Sequence, residues 1–170
     1  MIPQAVNLIV QARLAYLRES QGEIPFDDLD AKENTILTVY QVVIFTSFIS
    51  SVFVPLKLRT PWFYVGFVIY GLGIAISAKA IMDFSTTPKD TPVTQGIYRI
   101  SRNPMYVGWF LAYIGIGVAS ASPGFMLLVI LIMVLQYLCV ASEERWCLEE
   151  YGDVYRAYMK RTPRWIGIAS

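Results

Sequence analysis

Histidine is absent from the 170 residues, and with it every mechanism built on an imidazole base or a histidine-ligated metal. Cysteine is nearly absent, at two residues, which excludes a disulfide-stapled secreted scaffold. Charged residues make up only 16%, and the formal net charge of +1 gives no basic footprint for nucleic acid. What fills the chain is apolar: 55% of it by the AVILMFWYC count, too rich for disorder and for an ordinary soluble domain. The length suits one domain, and the composition places it in a membrane.

Three stretches carry no Asp, Glu, Lys or Arg: Asn34 to Leu56, Thr60 to Ala78 and Asn103 to Ser142. A spanning helix needs about 20 apolar residues, so the first two supply one each. The third, as one straight helix at about 1.5 Å per residue, runs to roughly twice the hydrocarbon thickness and must fold back. Ser120-Ala-Ser-Pro-Gly124 marks the turn, dividing it into Pro104 to Ala119 and Phe125 to Ser142. The expected fold is all-α: a polytopic membrane bundle of four transmembrane helices, with a helical hairpin near the C-terminus and a cytoplasmic helical tail.

Orientation follows from Lys and Arg. Twelve of the 14 basic residues fall in the N-terminal segment, the 79–102 loop with its flanks and the tail, against Lys57 and Arg59 on the other side. Both termini and the loop are therefore expected in the cytoplasm, where Cys139 and Cys147 stay reduced. Ile2, Val6, Ile9, Val10, Leu14 and Leu17 recur at helical spacing, which reads as an amphipathic interfacial helix; a fifth span is the competing reading. The acidic stretch Glu19 to Glu33 reads as a solvated linker. The single domain thus divides into residues 1–33 (interfacial helix and linker), 34–142 (bundle) and 143–170 (tail).

Most Trp and Tyr near the predicted boundaries are explained by an aromatic belt, and Gly66, Gly71 and Gly73 by close helix contact. Two clusters hold more chemistry. In Gly96-Ile-Tyr-Arg-Ile-Ser-Arg-Asn-Pro-Met-Tyr-Val-Gly108, Asn103 suits an N-cap and Pro104 the first helical position. That helix start, with Arg99 or Arg102, is able to hold a carboxylate or phosphate; the alternative is that the arginines anchor to lipid phosphates. In Glu143-Glu-Arg-Trp-Cys-Leu-Glu-Glu-Tyr-Gly-Asp153, two adjacent carboxylates want a cationic partner, either Arg102 or Arg99 as a structural pair or a cationic ligand. Tyr151, Tyr155 and Tyr158 share one helical face by spacing, as aromatic surface for a base or sulfonium or as packing. Together the clusters describe a ligand with an anionic end, a cationic end and an aromatic part. S-adenosylmethionine has all three; nucleotides and phospholipid headgroups share several.

The ordered set Gly96-Ile-Tyr98, Arg102-Asn-Pro-Met-Tyr106, Gly108, a membrane hairpin, Glu143-Glu144, Leu148, Tyr151-Gly-Asp153, Tyr155, Tyr158 and Pro163-Arg164 resembles the integral-membrane methyltransferases, which include isoprenylcysteine carboxyl methyltransferases and phospholipid N-methyltransferases. The carboxyl enzymes usually carry Arg-His-Pro where this chain has Arg102-Asn-Pro104. Asn-Pro-Met-Tyr and Ala121-Ser-Pro123 look more like the phospholipid enzymes, and Tyr106-Val-Gly-Trp-Phe110 and Tyr151-Gly-Asp-x-Tyr155 more like the carboxyl enzymes. The resemblance implies an S-adenosylmethionine site of Gly71, Gly73, Tyr98, Arg102, Asn103, Pro104, Tyr106, Gly108, Glu143, Glu144 and Tyr155. Arg102 and Glu143 are its expected catalytic residues, and no metal is needed. Arg102, Asn103 and Pro104 are assigned to the cofactor's carboxylate end, Glu144 to its ammonium, and Tyr98, Tyr106 and Tyr155 to the walls. The implied partner is a lipid-like acceptor, a headgroup amine or an isoprenylcysteine-type carboxylate, entering sideways between helices. Two other readings compete: a sterol-reductase-like NADPH enzyme fragment, for which four or five spans are few, and a non-enzymatic membrane scaffold in which Arg102 and Glu143 form a structural pair.

Overall fold

The computed structural model describes residues 31–88 and 91–167, and these form four α-helices and one short 3-10 turn. They are α1 (Ala31–Phe53), α2 (Pro61–Ser85), the 3-10 turn Gly96–Arg99, α3 (Pro104–Ser120) and α4 (Pro123–Arg161). Among the described residues there is no strand. The amphipathic segment at residues 2–17, and with it the choice between interfacial helix and fifth span, lies outside the described residues.

Three of the helices, α1, α2 and α4, are long and apolar enough to cross a membrane; α3 is apolar but has only 17 residues. Of the four expected spans, three are helices of spanning length and the fourth, α3, is shorter. Each start has a local cause. Thr60 caps α2 by accepting from the Phe63 N–H (3.3 Å), with Pro61 in the first turn. Ser122 does the same for α4 through Phe125 (3.3 Å), with Pro123 next. The hairpin turn is therefore tighter than the expected Ser120–Gly124: Ala121 in the left-handed region (φ 47°) closes α3, and Pro123 and Gly124 already belong to α4. Pro at a first-turn position starts a helix rather than breaking one.

α2 and α3 form the most extensive pairing, antiparallel and almost without side chains between them. A Cβ on Gly73 would lie 2.5 Å from the Ala112 nitrogen and 2.6 Å from the Gly108 oxygen; one on Gly115 would lie 2.5 Å from the Tyr70 nitrogen and 2.7 Å from the Gly66 oxygen. Gly66, Gly73 and Ala80 recur every seven residues along this seam, opposite Gly108, Ala112, Gly115 and Ala119. Small residues let two backbones touch where the solvent offers no hydrophobic drive for association. α3 also packs on α4, and α4 carries α1. At the far end from Arg102, Tyr113, Phe125 and Val129 form a small apolar core.

α1 touches the rest through a narrow stripe, and its Val42, Phe45 and Phe53 face outward, as suits a lipid-facing helix. Its first turn is pinned: Arg145 of α4 reaches both oxygens of Glu33 (2.7 and 2.8 Å), and Ser142 donates to one of them (3.0 Å). Glu33, expected at the end of a solvated linker, is helical and paired, because α1 starts three residues earlier than the uncharged stretch does.

Candidate active site at the mouth of the hairpin

The loop between α2 and α3 is shaped from behind by Asp83. Its Oδ2 accepts from the Ile97 N–H (2.9 Å) and its Oδ1 from Lys79. These hydrogen bonds, Lys79's first, hold the carboxyl below its ordinary value. Gly96 has φ +56°, and a Cβ there would collide with the Asp83 carboxylate, so only glycine fits. The turn that follows delivers Tyr98, Ser101, Arg102 and Asn103 to the start of α3.

Gly152 does the complementary work on α4. Its non-helical φ 52°, ψ −126° kinks the helix, and the residues beyond it fold back over the loop. The kink also divides the tyrosine stripe expected from spacing: Tyr151 packs on Trp146 (6.0 Å), while Tyr155 and Tyr158 pack on each other (5.7 Å). The Tyr158 hydroxyl donates to the Tyr98 carbonyl (2.6 Å) and the Arg102 N–H to the Pro163 carbonyl (2.9 Å). The Arg164 carbonyl accepts from Asn103 Nδ2 (3.0 Å) and Ser101 Oγ (3.3 Å). Asn103 stands at the N-cap position as expected, but its side chain serves the tail rather than the α3 backbone.

At the centre of this junction lies Glu144, its side chain 5% exposed. Arg102 Nε donates to its Oε1 (2.9 Å), and Arg164 Nε and Nη2 donate to its Oε2 (3.0 and 2.6 Å). Arg102 Nη1 also holds the Met159 carbonyl (3.1 Å). The arginine's partner is thus Glu144, not the Glu143 of the scaffold reading, and Arg99 is exposed and takes no part. Glu143, one residue round the helix, accepts from the Tyr106 hydroxyl (2.7 Å). Burial, then the charges of Cys147 and Glu144, pushes the Tyr155 hydroxyl well above its ordinary value; burial does the same for Tyr158, so both stay protonated at physiological pH. Burial alone would lower the Arg164 guanidinium, but its hydrogen bond to Glu144 and that residue's charge outweigh it.

Tyr98, Arg102, Asn103, Tyr106, Glu143, Glu144 and Tyr155 therefore converge on one junction. Pro104 is buried at the start of α3, while Gly73 and Gly108 lie in the α2–α3 seam, each facing the other's backbone. Gly71 faces away from that seam, with open space where a Cβ would be. Arg164, Tyr137, Met159 and Trp165 enter without having been expected as site residues. With Arg102 they line a cleft of about 380 Å³, and the Arg164 guanidinium sits 5.5 Å from the Tyr137 ring centre. The one signal for them in the sequence is Pro163-Arg164, at the end of the motif set.

The pattern that unites α2, the Arg102 loop, α3 and the Glu143–Glu144 segment is a family pattern. The family model for phospholipid methyltransferases matches residues 62–154. The chain belongs to that family. No match to a curated protein accompanies it. Membership implies a methyltransferase and points to lipid as what it methylates. The matched segment ends just after the Gly152 kink, so Tyr155, Tyr158 and Arg164 belong to the part of the junction beyond it.

Proposed function

We propose that the protein transfers a methyl group from S-adenosylmethionine to a membrane-embedded lipid acceptor at the cytoplasmic face, where the excess of Lys and Arg lies. The family match favours a phospholipid headgroup amine over an isoprenylcysteine-type carboxylate as the acceptor. The observation that carries the reading is the buried Arg102–Glu144–Arg164 junction at the mouth of the hairpin.

The donor set suits the cofactor. Among the described residues, Arg102 Nη2 has no partner, so the junction keeps a donor for a carboxylate while Glu144 supplies a charge for an ammonium. Arg102 and Asn103 hold the carboxylate end, Glu144 the ammonium end, and Tyr98, Tyr106 and Tyr155 the sides. When bound, S-adenosylmethionine supplies an electrophilic methyl group on a sulfonium. The protein's task is then to align the acceptor with that methyl and keep water out. An amine acceptor must first lose a proton, and Glu143 takes it, with the Tyr106 hydroxyl steadying one oxygen.

Calorimetry of detergent-purified protein with S-adenosylmethionine, S-adenosylhomocysteine and NADPH tests this, followed by transfer of labelled methyl to phosphatidylethanolamine or a prenylcysteine. Binding of the first two ligands and labelling of one acceptor is the expected result. Binding of NADPH alone would turn the reading to a reductase, and binding of none to a scaffold.

A further inference from the structure

The cleft beside Glu144 has an uneven lining. Two guanidiniums, Arg102 and Arg164, face it together with Tyr137, Met159 and Trp165, and among the described residues no carboxylate does; Glu144 has both oxygens engaged by the arginines. Arg102 is buried and Arg164 about a quarter exposed, so Arg164 is the partner that an incoming group meets first. Tyr137 is shared. Its other side forms the top of a second groove of about 400 Å³, otherwise lined by Ile130, Met133, Val134 and Leu138 on the outward face of α4. From Ile130 to Leu138 the helix rises about 12 Å, close to the depth of one leaflet of a hydrocarbon core about 30 Å thick. A cationic cleft thus shares Tyr137 with an apolar track that runs along the exposed side of α4.

Building on the methyltransferase reading, we infer that this outer face of α4 seats the acceptor as a glycerophospholipid. Its phosphodiester lies on Arg164 above the Tyr137 ring, with Arg102 left to the cofactor, and one acyl chain follows the Ile130–Leu138 groove. The match of charge and of polarity along one continuous surface carries the assignment. A phosphate takes hydrogen bonds from planar guanidinium groups, and the chain never leaves an apolar surrounding. The headgroup beyond the phosphate is then directed toward the Glu143–Glu144 side of the junction. In this arrangement the lipid reaches the site along the outside of α4, without the helices having to part.

Lipid retention in native mass spectrometry tests this with no cofactor present. Protein stripped of lipid is offered equal amounts of dioleoyl phosphatidylethanolamine and dioleoylglycerol, which differ by the phosphate-bearing head. The wild type is expected to retain the phospholipid about tenfold better, the worth of one strong hydrogen bond to a charged group. Arg164→Ala should bring the two lipids to near parity, Arg164→Lys should keep part of the preference, and Val134→Trp should lower retention of both. An unchanged preference in Arg164→Ala with the tail still protected from hydrogen exchange would overturn the inference. If that variant releases its tail, Val134→Trp decides: undiminished retention there overturns the site. A wild type that retains phospholipid but transfers no methyl would refute the enzyme reading alone. One that methylates normally in both variants would refute the lipid seat alone.

Discussion

Two junctions hold this molecule together by opposite means. The α2–α3 seam joins backbone to backbone through glycine and alanine, with little but the Ser77 hydroxyl between them. The tail junction joins α3 to the end of α4 through charge: one carboxylate, two guanidiniums, and carbonyls received by side-chain donors. The seam is a matter of shape, and a single methyl group disturbs it. The junction is a matter of charge balance, and its partners are able to exchange for a ligand's. On the proposed function, a protein that must stay assembled in lipid yet admit a charged molecule at its mouth needs both.

The strongest way to break the contrast is Glu144→Ala. It leaves two guanidiniums in a largely buried site without their carboxylate and is expected to cost about 3–5 kcal/mol. Methyl transfer should vanish and hydrogen exchange of residues 153–165 should rise, while α2 and α3 stay protected. Loss of protection throughout the bundle would show that the junction is part of the core. Next comes the seam: Gly73→Ala places a Cβ against backbone that has no rotamer to yield and should cost about 1–3 kcal/mol in thermal unfolding in detergent. Gly71→Ala is the matched control, with open space at the same point and a gain in helix propensity of up to about 1 kcal/mol. If Gly71 also faces cofactor, as the family resemblance implies, its alanine variant loses S-adenosylmethionine affinity with no loss of stability.

A smaller effect is expected at Asp83, the tie between α2 and the Arg102 loop. Asp83→Ala should cost about 1 kcal/mol and raise exchange at Ile97. Because the folded carboxyl is held below its unfolded value of about 4, its stabilisation is complete above that pH and fades as pH falls through the folded value. Ile97 protection should therefore be flat from pH 5 upward and drop only in stronger acid. A drop near neutrality would assign the tie to another group. Smallest of all is Cys147, whose thiol is pushed up to about 12 by burial and then by the Glu143 charge. At pH 8 its thiolate fraction is roughly 10⁻⁴, so alkylation in the folded protein should be far slower than in detergent-denatured chain, with no change in melting. Fast labelling in the native state would mean that the tail opens readily.

Much of this was legible in the sequence. The uncharged stretches located α1, α2 and the α3–α4 hairpin, since a helix in lipid cannot carry many charges. Asn103-Pro104 marked one helix start through the fixed φ of proline; Ser122-Pro123 read as part of a turn, although it starts α4 for the same reason. Both halves of the site were visible as clusters, but their pairing was not. Glu143 and Glu144 are neighbours in sequence yet lie about 100° apart on a helix, so which one meets Arg102 and which meets Tyr106 depends on the phase of α4 against α3. The tyrosine stripe failed for a related reason: its spacing presumed an unbroken helix, and Gly152 breaks it. Asp83 and Tyr137 had no local signature at all, and Arg164 showed only as the end of the motif set.

Composition and charge placement by themselves determined a helical membrane protein, because apolar length against bilayer thickness is a one-dimensional quantity. Motif order along the chain was enough to point to a methyltransferase. Only the tertiary structure decided which carboxylate is caged between two arginines, which glycines carry the α2–α3 contact, and that a cationic cleft shares Tyr137 with an apolar groove on α4. Those are distances between residues 20 to 61 positions apart, set by helix phase and by one left-handed glycine. No pattern of neighbours along the chain encodes them.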